Sequence, residues 1–313
     1  MIYDRFIKLK GGCVFLGKTL DHMNAIETKN LTKYYGKAIG ILNSNLIVEE
    51  GDIFGFIGPN GAGKSTTIRL LLGMIKPTAG EGYIFGKDCT TEVINILKEI
   101  GYMPSEAQFY GQLKVERVIK LAADLHRKDC SETALRLCER FQIDTKKKIE
   151  DISLGNRRKV SIVCAMQHNP RLLILDEPTS GLDPLMQKEF FAELKERNEK
   201  GVTIFLSSHV LAEVQEHCKK AAIIKEGKIV VSGLVEELAK TNMKRVSIKG
   251  INQLPNLGAI VDVRQQNDEF DFLYKGHPKD LVSALNGIPI HDLSITDPSL
   301  EEIFMHFYEK EEK

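Results

Sequence analysis

The chain carries no net charge, with 43 Lys and Arg against 43 Asp and Glu in its 313 residues. It lacks the basic excess of a nucleic-acid binder, so no nucleic-acid partner is expected, although a local basic face is compatible with the balance. It also lacks any cysteine pair at metal or redox spacing. Cys13, Cys89, Cys130, Cys138, Cys164 and Cys218 are scattered without a C-x-x-C. That disfavours a disulfide framework and a zinc site and fits a reducing compartment, with Cys130 and Cys138 read as small apolar helix residues. No apolar run approaches the ~18–20 residues that a membrane helix needs. The opening Met1 to His22 offers only the patch Cys13-Val14-Phe15-Leu16, broken up by Lys8, Lys10 and Lys18, which makes a poor signal peptide. Residues 1–23 are read as an N-terminal extension, either disordered or lying ahead of a true start at Met23. Internal repeats and low-complexity tracts are absent too.

What is present is an ordinary globular composition, 42% hydrophobic, on a length that suits about two domains. Short strand patterns occur at Ala25 to Thr28 and Leu42 to Val48, separated by a turn at Tyr35-Gly36-Lys37. Asp52 to Ile57 reads as a short buried strand and Thr67 to Leu72 as helix. Lys76 to Gly82 reads as a turn before a strand at Tyr83 to Phe85, and Ile100 to Met103 as a strand stopped by Pro104. From Leu113 to about Phe141 the period becomes helical, with Val118, Leu121, Ala122 and Leu125 on one face. Strands return at Leu172 to Leu175 and Val202 to Leu206, either side of a helix over Met186 to Glu199. A hairpin closes around Glu226-Gly227. After Lys240 the texture changes: strands at Arg245 to Lys249, Val261 to Val263 and Phe270 to Tyr274, a polar turn at Gln265 to Asp268, and helices at Asp280 to Leu285 and Ser299 to Tyr308. The expected division is 1–23, 24–240 and a small α+β unit at 241–313.

The strongest chemical signal is Gly58-Pro59-Asn60-Gly61-Ala62-Gly63-Lys64-Ser65-Thr66. It has the G-x-x-x-x-G-K-[ST] spacing of a phosphate-binding loop between a strand and a helix. Gly58, Gly61 and Gly63 allow backbone conformations that turn successive N–H groups toward anionic oxygens, and the helix beginning near Lys64 adds its positive dipole end. Lys64 is expected to neutralise β- and γ-phosphates, and the Ser65 hydroxyl to ligate Mg²⁺. A chance Gly-rich turn is the bland alternative, and the Lys-Ser offset argues against it. The second signal is Leu172-Leu173-Ile174-Leu175-Asp176-Glu177-Pro178: a buried strand ending in an acid able to hold Mg²⁺ (Asp176), then an acid able to polarise water (Glu177).

Between these lies Asp151-Ile152-Ser153-Leu154-Gly155-Asn156-Arg157-Arg158. With it the chain resembles the ATP-binding subunits of ATP-binding cassette (ABC) transporters, whose signature L-S-G-G-Q stands here as Ile152 to Asn156. The resemblance implies that Ser153 and Gly155 reach the γ-phosphate held by a second, head-to-tail subunit. Leu154 and Asn156 depart from the strict pattern, and Ser153 also reads as a helix N-cap. In register with the same family, Ser180-Gly181-Leu182-Asp183 matches the loop through which the two ATP sites communicate. His209 matches the histidine that contacts the γ-phosphate; the other seven histidines default to surface or core. Tyr35, preferred to Tyr34 for its place beside Gly36, matches the aromatic that stacks on adenine. Where the family places a Mg²⁺-contacting glutamine, Ser105 stands, too short for that reach, with Glu106 and Gln108 as candidates to replace it.

The resemblance spans roughly Ala25 to Glu237. It implies an α/β P-loop NTPase cassette: a RecA-like core, an antiparallel β subdomain and a helical subdomain at about 106–165. It further implies an ATPase with ATP and Mg²⁺, paired with a second ATP-binding subunit (another copy or a paralogue). That pair would serve a polytopic membrane permease, peripherally, from the cytoplasmic face. The ending Asp297 to Phe304 resembles the tails of bacterial drug- and antibiotic-type exporter subunits, with Ile303, Phe304 and Phe307 as a core stripe. A soluble ABC ATPase of ribosomes or chromosomes is the alternative class, against which stand the single unsplit cassette and the lack of heptads.

Overall fold

A computed structural model of the chain describes residues 24–239 and 243–298, apart from 252, 256, 258 and 259. The expected extension at 1–23 and the expected helix at Ser299 to Tyr308, with its Ile303, Phe304 and Phe307 face, lie outside the described residues.

Two strands of 12 residues, β1 (Asn24–Tyr35) and β2 (Ala38–Glu49), form a hairpin through Gly36-Lys37. They are longer than the sequence pattern suggests. Bulges between Thr28 and Leu31 and between Leu31 and Lys33 break the two-residue alternation that would have revealed them. After β3 (Ile53–Ile57) and α1 (Lys64–Leu71), β4 (Ala79–Ile84) adds to the β1 edge and is followed by β5 (Lys87–Asp88). The expected turn at Lys76 to Gly82 is thus half strand: Gly80, at φ 76°, sits so close to Asn30 that a Cβ would meet its carbonyl oxygen at 2.2 Å. Only glycine permits that approach.

The chain continues through α2 (Val93–Leu97), β6 (Ile100–Met103), α3 (Val115–His126), α4 (Ser131–Arg140), α5 (Leu154–Met166), β7 (Leu172–Asp176), α6 (Pro184–Glu199) and β8 (Thr203–Ser208). Next come α7 (Leu211–His217), β9 (Lys220–Lys225), β10 (Lys228–Leu234) and α8 (Val235–Ala239). The central sheet has the order β10-β9-β3-β8-β7-β6, parallel except for the β9–β10 hairpin. Both of its faces are covered, which is why β7 and β8 are buried throughout and carry the apolar runs Leu172 to Leu175 and Ile204 to Leu206. Leu173, Leu175, Ile204 and Leu206 join the cluster under the helices. The alternate residues Leu172, Ile174 and Phe205 join the cluster shared with the antiparallel sheet β2-β1-β4-β5 and α1. Phe205 stacks on Phe54 there and packs at a tilt against Phe56, at centroid distances of 6.0 and 5.4 Å.

The buried face of α3 is Val115, Val118, Ile119 and Ala123. The face expected through Leu121 and Leu125 is corrected: these side chains are 42% and 81% exposed. The true stripe is rotated by one position because α3 packs on α5. An ion cluster fastens α4 to α6: Arg136, Arg140 and Arg197 reach the buried Glu193 at 2.7, 2.6 and 2.7 Å. Burial acts to raise the Glu193 carboxyl, but the hydrogen bonds from Arg136 and the Arg197 charge overcome it and hold its pKa down to about 2.

Beyond residue 243, β11 (Lys244–Lys249), β12 (Ile260–Gln266), β13 (Glu269–Tyr274), α9 (Pro278–Leu285) and β14 (Asp292–Thr296) form a separate sheet of order β12-β13-β11-β14. Its core joins Val246, Ile248, Phe270 and Phe272 to Leu281 and Leu285 of α9. The strand β14 was not legible in the sequence. It is a mostly exposed edge, Asp-Leu-Ser-Ile-Thr, that owes its form to pairing with β11.

His168 follows α5, buried, with Nε2 3.0 Å from the Ile100 carbonyl and its ring stacked on His126 at 3.6 Å. Burial first, and the His126 ring second, push its pKa down from 6.5 to about 4. The unfolded chain therefore takes up this proton before the folded one does, and stability falls as pH drops from 6.5 toward 4. Thermal melts across this window should show the loss, about 2–3 kcal/mol for this group, and His168→Gln should flatten it. A variant with the wild-type slope would remove His168 as the cause.

Candidate active site

Parallel pairing sets Ile57 beside Ser208 and Asp176 beside Ser207. The loop after β3, the acid pair at the end of β7 and His209 after β8 therefore emerge side by side, at the strand ends where open α/β sheets bind ligands. The Gly58 to Gly63 loop is moulded by its neighbours. A Cβ on Gly58 would meet the Ile224 carbonyl oxygen at 2.5 Å, and one on Gly63, at φ 111°, would meet the Gly40 carbonyl oxygen at 2.6 Å. The Gly227 amide donates to the Ala62 carbonyl at 2.9 Å, so the β9–β10 turn braces the loop from behind.

Lys64 opens α1, almost fully buried, and its ammonium donates to the carbonyls of Gly58 at 2.5 Å and Pro59 at 3.2 Å. It also lies 3.1 Å from Glu177 Oε1. That contact is an ion pair only, and Oε1 is buried without a hydrogen-bond partner. The other oxygen, Oε2, is 2.5 Å from His209 Nδ1. A carboxylate can only accept, so the pairing assigns the proton to Nδ1. Glu177 itself has φ 50°, a left-handed conformation that costs a non-glycine residue free energy and is met at functional sites.

Asp176 is buried, and both of its oxygens are used: Ser65 Oγ donates to Oδ2 at 2.9 Å and Ser207 Oγ to Oδ1 at 2.5 Å. The Ser207 hydroxyl in turn accepts from the Glu177 amide at 3.2 Å. Ser207 was missed in the sequence, although it is a polar residue inside a buried strand. Arg158 was missed as well. Buried on α5, it donates through Nε to the Ser180 carbonyl at 3.2 Å and through Nη2 to the Glu177 carbonyl at 2.6 Å. Its Nη1 donates to the carbonyls of Pro104, at 2.9 Å, and Ser105. Burial lowers the pKa of its guanidinium, against the fields of Asp176 and Glu177. Between Arg157 and Lys159, no sequence signal distinguishes it.

Ser153 caps α5 by accepting from the Asn156 amide at 3.3 Å. A Cβ on Gly155 would stand 2.8 Å from the Gly181 carbonyl, so the start of α5 lies against the Ser180 to Asp183 loop. Asp183 caps α6, accepting from the Met186 amide at 3.0 Å. Tyr35 is 47% exposed, and a Cβ on Gly40 would meet both its ring (2.9 Å) and Thr66 (3.1 Å), which puts the ring at the loop's end. Ser105, Glu106 and Gln108 border a cavity of about 520 Å³ together with Asn60, Glu177 and His209.

The residues fit an ATP phosphate chain and a hard divalent ion. The glycine backbone leaves no room for a Cβ, Glu177 Oε1 lacks a hydrogen-bond partner, and Ser65 with Asp176 supplies the oxygen donors that Mg²⁺ takes beside phosphate and water. Among the described residues no cluster of three His, Cys, Asp or Glu could hold a metal unaided.

The ABC transporter family pattern matches residues 41–180. The chain is 35% identical to the bacitracin transport ATP-binding protein BcrA of Bacillus licheniformis, over 90% of this chain and 96% of that protein. It is 29% identical to the linearmycin resistance ATP-binding protein LnrL of Bacillus subtilis, over 90% and 97%. Among solved structures, an ATP-binding subunit of an ABC transporter superposes with TM-score 0.65 at 29% identity, covering 69% of this chain and 92% of its own. A dimeric bacterial ABC transporter cassette does so with TM-score 0.61 at 25%, covering 67% and 98%. Fold and site define a P-loop ATPase of the cassette type. The chain belongs to the ATP-binding subunits of ABC transporters.

Ser207→Ala should leave Asp176 short of one buried hydrogen bond and cost about 1–3 kcal/mol, read as a lower urea midpoint. An unchanged midpoint would show that this bond carries no stability.

Proposed function

We propose that the chain powers a drug-type exporter whose membrane-spanning part is a separate polytopic protein. In this reading it works from the cytoplasmic face as one of a pair of cassettes, with another copy or a paralogue, closing on ATP. Residues 24–240 are the cassette and 241–313 an accessory unit. The observation that carries the reading is the Glu177 carboxylate held between Lys64 and His209 at the carboxyl ends of β3, β7 and β8. Support for export comes from relatives named for bacitracin transport and linearmycin resistance, and support for pairing from the dimeric cassette. No helix among the described residues is long and apolar enough to cross a membrane, in keeping with a separate permease.

The proposed roles combine this geometry with the resemblance to the ABC family. Backbone amides of the Gly58 to Thr66 loop and the Lys64 ammonium bind the phosphates, while Tyr35 stacks on the base. Glu177 polarises the attacking water, and His209, hydrogen-bonded to its second oxygen, fixes the direction in which the carboxylate points. Mg²⁺ held by Ser65 and Asp176 would supply charge neutralisation to the phosphates. Ser153 and Gly155, at the start of α5, serve the ATP held by the other cassette, and Asp183 lies at the contact between the two.

Glu177→Gln keeps the size of the side chain and removes the base. Turnover should fall by about 100-fold or more, while ATP binding persists and ATP-bound dimers accumulate in gel filtration. Hydrolysis at the wild-type rate would remove Glu177 from the mechanism.

A further inference from the structure

Arg158 is 4% exposed, and its hydrogen bonds run to main-chain carbonyls, none to a carboxylate. Those carbonyls come from two separate loops: Pro104 and Ser105 after β6, and Glu177 and Ser180 between β7 and α6. A buried cation is costly unless its donors are satisfied, and the planar guanidinium fork satisfies several carbonyls at once where an ammonium cannot. The Glu177 carbonyl that it holds belongs to the residue with left-handed φ, whose conformation must be imposed by its surroundings. Arg158 also rides on α5, five positions after Ser153, the cap of that helix.

We propose that Arg158 is a positioning residue that ties the Ser105 loop, the Glu177 backbone and helix α5 into one clamp. The clamp holds the Glu177 carboxylate at the angle needed for hydrolysis only while all three segments are engaged. Because Ser153 on the same helix serves the opposite ATP in the function proposed above, on which this inference rests, the state of one ATP site reaches the carboxylate of the other through Arg158. The Ser105 loop enters the same joint, so a displacement of that loop bears on the same carboxylate.

The test compares full-length wild type with Arg158→Lys and Arg158→Gln. Each is checked for folding by its melting transition and for ATP affinity by equilibrium binding. The clamp predicts a kcat lower by about 100-fold in both variants, with no rescue by the conservative lysine. ATP affinity should stay within about threefold, because Arg158 does not touch the phosphate loop. A lysine variant with wild-type kcat, or variants whose affinity and kcat/KM fall together at constant kcat, would overturn the clamp. Wild-type chain provides a second reading that needs no substitution. On addition of a non-hydrolysable ATP analogue, amide exchange at 104–106, 153–158 and 177–180 should change together, and change at one segment alone contradicts the clamp. A wild-type chain that does not hydrolyse ATP at all would sink the functional reading as well, whereas normal wild-type turnover with active variants sinks only the clamp.

Discussion

The parallel alignment of β3, β8 and β7 is the constraint on which the rest of this protein depends. Pairing Ile57 with Ser208 and Asp176 with Ser207 brings three strand ends to one level, and each end releases one part of the site. The alignment is enforced by burial on both faces: alternate residues of β7 and β8 face the helices and the antiparallel sheet, so a slip by one residue would exchange the two apolar sets between cores of different shape. With the strands fixed, a buried carboxylate at Asp176 becomes affordable only because two serine hydroxyls, from α1 and β8, donate to it. The same two hydroxyls tie the phosphate loop to the strand next door.

Around that fixed level, the working parts are held by opposed contacts. The Glu177 side chain lies between a lysine and a histidine, while its backbone, in an unfavourable conformation, is held by the Ser207 hydroxyl from one side and the Arg158 fork from the other. Carbonyl acceptors suit this purpose better than carboxylates, because a guanidinium can fix several at defined angles without forming a mobile ion pair. The helical segment is also anchored elsewhere. The α4–α6 ion cluster binds the helical segment to the core through short charge-assisted bonds to the buried Glu193 carboxylate.

Much of this was legible in the sequence because it depends on local chemistry. The glycines at Gly58, Gly61 and Gly63, the apolar run before Asp176 and the cap at Ser153 each encode their own geometry, and the described strands of the central sheet begin and end near where period and turn residues placed them. What escaped depends on partners distant in sequence. The face of α3 was rotated because Leu121 and Leu125 fit a helical period as well as Val115 and Ile119 do, and only the position of α5 decides between them. Gly80 looked like a turn residue and is a strand residue beside a bulge. Arg158 stands among three consecutive basic residues, and its role lies wholly in carbonyls 53, 54, 19 and 22 positions away.

The central claim is that the Gly58 to Thr66 loop and Lys64 form an ATP cradle joined through Glu177 to the site of hydrolysis. Equilibrium ATP binding to the full chain, wild type against Lys64→Met, tests it most directly, with melting transitions to show that both are folded. Saturable binding by wild type and a loss of at least about tenfold in affinity for the variant, or roughly 1.4 kcal/mol, is the predicted result. Equal affinity in two folded proteins would contradict it.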